Sequence, residues 1–187
     1  MSAMTRNLSG HILILTGPPG AGKTTTAKAL ASSAEGPAVH LHADDFWHFI
    51  RRGSIPPYLP AAHEQNKVVM DVIAGASAGY ARGGYFVVLD GIIGPWFLAP
   101  FLRLDVPLHY VVLRPALEEV MPRPRGRGAG ALKNSGPIRS LHAQFSALGS
   151  LEHHALDTTA QDPATTLATV WARLDGTHLL AEVAPHG

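Results

Sequence analysis

Gly17-Pro18-Pro19-Gly20-Ala21-Gly22-Lys23-Thr24 decides the reading of this chain. The residues spell G-x-x-x-x-G-K-T, the phosphate-binding P-loop pattern. Just before them, His11-Ile12-Leu13-Ile14-Leu15-Thr16 is a short aliphatic run that reads as a buried parallel strand. Just after, Thr24-Thr25-Thr26-Ala27-Lys28-Ala29-Leu30-Ala31 reads as a helix. Strand, glycine loop and helix in that order form a cradle for a polyanion, so the segment implies binding of a nucleoside triphosphate.

The physical reasons are local. Glycines at 17, 20 and 22 let backbone N–H groups turn inward towards phosphate oxygens. Pro18, Pro19 and Ala21 complete the loop, which runs into a helix N-terminus whose unpaired N–H groups and dipole favour anions. Lys23 supplies a point charge for the β- and γ-phosphates, and the Thr24 hydroxyl suits a magnesium ion bridging them. Thr25 adds a hydroxyl near the α-phosphate. ATP and Mg²⁺ are the expected cofactors.

Working outward, strands and helices alternate. Ala38 to His42 reads as a second strand, with Ala43-Asp44-Asp45 at its carboxyl end, placed to cap a short helix over Phe46 to Ile50. His63 to Arg82 is a long helix, with Val68, Val69, Val72 and Ile73 at helical spacing, ended by Gly83-Gly84. Tyr85 to Asp90 and Leu108 to Leu113 are further strands. Met121 to Asn134, rich in proline, glycine and arginine, reads as a mobile loop. Pro137 to Leu148 resumes as helix, His153 to Asp157 is a weaker fifth strand, and Pro163 to Leu174 is the last helix, capped by Asp162. The pattern predicts a three-layer α/β P-loop NTPase fold: one domain over 1–187 with a five-stranded parallel sheet and a small mobile lid near 121–136. Ligands in such sheets bind at strand carboxyl ends. The loop 17–24, Asp44-Asp45 and Asp90 all fall there and are expected to meet in one crevice.

Composition narrows the classes. A hydrophobic share of 46% against 16% charged suits a compact enzyme rather than a disordered chain. A net charge of +1 argues against a nucleic-acid partner. With no cysteine, disulfides, thiolate catalysis and zinc–thiolate sites are excluded. The apolar stretch Tyr85 to Leu104 is broken by Asp90, Pro95, Pro100 and Arg103, so no membrane partner is expected, and the cytoplasm is the expected location. The oligomeric state is left open. Eleven histidines raise the question of a metal, but no His-Glu-x-x-His or similar ligand set is present.

These residues together resemble the small P-loop kinases, above all the chloramphenicol phosphotransferase-like and zeta-toxin-like groups. The P-loop and the His42-Ala43-Asp44-Asp45-Phe46-Trp47 segment carry the resemblance. It implies an ATP-dependent kinase that transfers the γ-phosphate to a hydroxyl of a small molecule. It implies that an Asp after the second strand acts as base on that hydroxyl, with Asp44 the first choice and Asp45 the second. A carboxylate within hydrogen-bond reach can take the proton; helix capping is the plainer role for this pair. The resemblance gives Asp90 two uses, holding magnesium or facing the acceptor, while a strand-end acid capping a turn is the plainer reading. It also implies lid arginines that neutralise transition-state charge and exclude water. Arg123 and Arg127 are named for that role, with Arg125, Arg114 and Arg139 as further candidates; a solvated basic loop is the alternative. His42 is read as lining the acceptor pocket or packing beside it, and Trp47, with Phe49, Tyr58, Trp96 and Phe97, as an apolar wall for a small organic acceptor or, equally, as core residues. Two other classes stay open: a P-loop NTPase or nucleotide-binding module without an acceptor, and a polynucleotide-end kinase, which the near-neutral charge disfavours.

Overall fold

The computed structural model describes residues 7–121, 135–176 and 178–181. The alternation read from the sequence is realised as β1 (Ile12–Thr16), α1 (Lys23–Ser32), β2 (Ala38–His42), α2 (Ala43–His48), α3 (His63–Arg82), β3 (Phe86–Asp90), α4 (Ala99–Leu102), β4 (Leu108–Leu113), α5 (Leu117–Val120), α6 (Ser135–Phe145), β5 (Ala155–Leu156), α7 (Pro163–Arg173) and β6 (Leu179–Ala181). The sheet runs β2-β3-β1-β4-β5 with every neighbour parallel.

β1, β3 and β4 are buried along their whole length, which explains their unbroken aliphatic composition. Their side chains alternate between two cores. Ile12, Ile14, Val87, Leu89 and Tyr110 pack with Met70 and Ile73 of α3, Phe101 of α4 and Phe145 of α6. Leu13, Leu15, Val88 and Val111 face the other way, onto Ala27 and Leu30 of α1 and Val170 of α7. Three layers result, the fold class read from the pattern.

The structure adds detail to the pattern and departs from it at His153 and His154. The sheet has six strands, because β6 adds antiparallel to β4 through Leu108 and His109, while β5 takes the other half of the same edge through Val112 and Leu113. His153 and His154 are not strand residues but end a 3₁₀ turn, Gly149–His154; the strand proper is two residues long. Along α3, Val69 and Ile73 are core, whereas Val68 and Val72 are 63% and 54% exposed. Four apolar residues in that spacing overfill the stripe a helix buries on one face. No described helix is long and apolar enough to cross a membrane.

Candidate active site

The loop after β1 is held by contacts that only glycine permits. Gly17 has φ 143°, and a Cβ there would lie 2.1 Å from the Leu113 carbonyl oxygen at the end of β4. Gly20 and Gly22 are left-handed. Gly22 is the N-cap of α1; no side chain caps the helix, and no acid stands in its first turn. The helix therefore presents unspent N–H groups to the loop's concavity. Lys23 lies across that loop, its Nζ donating to the Pro18 carbonyl at 2.8 Å. Burial pushes the Lys23 ammonium down to about 8, with the Asp90 and Asp44 carboxylates pulling the other way.

Asp90, wholly buried at the end of β3, is the hub. The Thr24 hydroxyl donates to Oδ2 at 2.7 Å, which ties the P-loop helix to the third strand. His40 Nε2 lies 2.6 Å from Oδ1, and His42 Nδ1 lies 3.1 Å from both oxygens. The register explains this set. His42 stands beside Asp90 in the parallel β2–β3 pair, and His40, two residues back, shares its face. Burial by itself would raise the Asp90 carboxyl; the hydrogen bonds from His40, Thr24 and His42, with the charge of His42, outweigh it and hold the group below its ordinary value.

Asp44 and Asp45 do not cap the helix after β2. α2 starts directly off the strand at Ala43, its N-cap position is His42, and no side-chain capping bond is made. The start is set by close packing: a Cβ on Gly91 would sit 2.5 Å from the Ala43 Cβ, so the turn after Asp90 tucks under the first residue of α2. Both acids are exposed in the first helical turn. Asp44 faces the crevice: one carboxylate oxygen is 3.7 Å from His42 Nε2, and its charge acts on Lys23. His42 thus lies between Asp90 and Asp44. Trp47 turns towards α3, donating its indole N–H to Asn66 Oδ1 at 2.9 Å. Asn66 in turn donates to the Pro57 carbonyl, and Gln65 clamps both backbone groups of Ile55, so α3 pins the proline-rich segment after α2. Phe49 and Tyr58 are exposed there; Trp96 is exposed as well, although one side of its ring packs on Phe97 and Phe145.

One feature escaped the sequence reading. A cavity of about 230 Å³ opens beside the P-loop, walled by Gly20, Gly22 and Thr25 on one side and by Pro115, Thr158 and Ala160 on the other. Ala160 has φ 58°, alone among described non-glycine residues in being left-handed. No motif announces this wall, because it joins the ends of β4 and β5 to α1. Among the other candidates, Arg114 is engaged elsewhere, donating to the Phe145 carbonyl at 3.1 Å and to Glu152. Arg139 is exposed on α6. Arg123, Arg125 and Arg127 lie outside the described residues.

Solved structures with this fold include a thymidylate kinase from Candida albicans (TM-score 0.65, 16% identity, covering 93% of this chain and 96% of that one). A tunicamycin resistance protein from Deinococcus radiodurans aligns at TM-score 0.62 and 20% identity, covering 91% and 98% of the two chains. A shikimate kinase from Acinetobacter baumannii aligns at TM-score 0.56 and 20% identity over 92% and 96%. At such identities the likeness shows the fold alone. Comparison with curated protein sequences gives no match. The family described as chloramphenicol phosphotransferase-like protein, in contrast, matches residues 10–175, the whole span from β1 through α7, and the chain belongs to that family.

Proposed function

We propose that this protein is an ATP-dependent phosphotransferase that moves the γ-phosphate to a hydroxyl of a small molecule. One observation carries the reading: the Thr24–Asp90 hydrogen bond joins the P-loop to a buried carboxylate, and His42 continues that contact towards Asp44. The phosphate cradle and a candidate base thereby face one crevice.

Backbone amides of 17–24 and the Lys23 ammonium hold the triphosphate. The cavity walled by Thr25, Pro115, Thr158 and Ala160 takes the nucleobase; its volume of about 230 Å³ fits one ring system rather than a whole nucleotide. The residues present fit magnesium. Thr24 and Asp90 offer hard oxygen donors, and the Thr24 O–H donates its hydrogen bond to Asp90, leaving the hydroxyl lone pairs free. Both Asp90 oxygens already accept hydrogen bonds, so Asp90 would hold the ion through water. The bound ion supplies neutralisation of phosphate charge. Asp44 takes the acceptor's proton as the bond to phosphorus forms. His42 lines the acceptor side and Asp45 borders it.

The test is a screen of metabolites and antibiotics for acceptor-dependent ADP release. Release above the hydrolytic background with one compound, and a phosphorylated product of that compound, is the expected result. Hydrolysis that no compound stimulates would favour an NTPase without an acceptor.

A further inference from the structure

The exposed side of α3 carries a seam that the active site does not use. Val68, Val72, Gly75 and Gly79 recur at intervals of four, three and four residues, the heptad spacing of a helix pair. At about 100° per residue they fall within roughly 60° of arc. Both valines are more than half exposed, and a Cβ built at Gly75 or Gly79 meets nothing within 4 Å. Glycine in the middle of an exposed helix weakens it by about 1 kcal/mol relative to alanine, so two of them on one face call for a compensating contact. Charges rim the strip: Glu64 with Lys67, Asp71 with Arg103, and Arg82 with Asp105. An apolar centre inside a polar rim is the anatomy of a protein interface.

We propose that this face pairs with a second copy of the chain, α3 against α3 in antiparallel orientation about a two-fold axis. An axis between residues 73 and 74 sets Val72 opposite Gly75 of the second copy and Val68 opposite Gly79. Each valine then enters the space that a missing side chain leaves, and the helices can approach to about 8 Å. The same register brings Glu64, in the first turn, beside Arg82, in the last turn of the second helix. Both lie on one flank of the seam, which in an antiparallel pair is the flank that meets itself. Bulk opposite hollow and acid opposite base are generated by one symmetry operation, the mark of an isologous interface. An unrelated partner would need neither match.

Sedimentation velocity on the full chain tests it without any ligand. The expected species at about 100 µM has twice the chain mass of 19.8 kDa and dissociates on dilution. Val72→Glu, at an exposed position that leaves the fold intact by circular dichroism, is expected to weaken the dimer at least about tenfold. Glu64→Gln or Arg82→Gln alone is expected to weaken it about threefold, and the two together no more than either alone, the coupling of a direct pair. A wild-type chain that stays monomeric overturns the proposal, as does a dimer indifferent to Val72→Glu. Additive effects of Glu64→Gln and Arg82→Gln overturn the antiparallel register.

Discussion

At the scale of single residues, Lys23 has the sharpest consequence. Its ammonium titrates near 8 because burial disfavours the charge. A bound triphosphate favours the charged form, so binding above that pH takes up a proton. Nucleotide affinity is therefore expected to be flat below pH 7.5 and to fall as pH rises through 8, approaching tenfold per unit by pH 9. Calorimetric titrations at pH 7, 8 and 9, in buffers of different ionisation enthalpy, check both the slope and the proton. Lys23→Ala is expected to weaken Mg·ATP binding and abolish phosphoryl transfer; near-normal turnover in that variant would contradict the scheme. Gly17 is the second sensitive residue. A methyl group at 2.1 Å from the Leu113 oxygen cannot be accommodated without moving β4 or the loop. Gly17→Ala is expected to cost about 3 kcal/mol or more of stability and to lose nucleotide binding, measured by denaturant unfolding and titration.

At the scale of elements, the β4–β6 edge carries a buried histidine set away from the carboxyl ends of the strands. His109 and His178 are each almost wholly buried, and both sit at about 4. Burial is the main cause; His11 and His178 add to it at His109, and His154, Arg173 and His153 at His178, where Asp175 opposes. Their protonation is lowered in the folded chain, so the unfolded chain binds protons first as pH falls. Stability is thus present above pH 6.5 and is lost between 6.5 and 4, by about 1–2 kcal/mol per histidine at pH 5. The denaturation midpoint is expected to fall over that window and to fall by about half as much in His178→Phe. A midpoint flat from pH 7 to 5 would contradict the burial argument. This edge also shows what the sequence hides. β1, β3 and β4 are legible because strands covered on both faces need continuous aliphatic residues. β6 is three residues long, and its pairing depends on an edge that β5 leaves half empty. His153 and His154 read as strand because Ala155 and Leu156 follow them, yet His154 ends a 3₁₀ turn and is fixed by a bond to the Tyr110 carbonyl rather than by a ladder.

At the scale of the whole molecule, the crevice is a product of strand order. Placing β1 between β3 and β4 puts Asp90 on one side of the P-loop and the β4 and β5 ends on the other. The cradle, Asp44 and Asp90 were legible as chemistry-bearing residues at strand ends. That His40 and His42 both converge on Asp90 was not, because it depends on the β2–β3 register. Nor was the cavity beside Thr25, whose walls come from three segments far apart in the sequence. The division is physical: local motifs declare what a segment can hold, and packing decides what it faces.

The central claim, that Asp44 readies an acceptor at the mouth of a P-loop tied to Asp90, is tested most directly by acceptor-dependent ADP release in Asp44→Asn at saturating Mg·ATP. A fall of about a hundredfold or more with ATP affinity unchanged is expected. Wild-type turnover in that variant, or a loss reproduced only by Asp45→Asn, would contradict it.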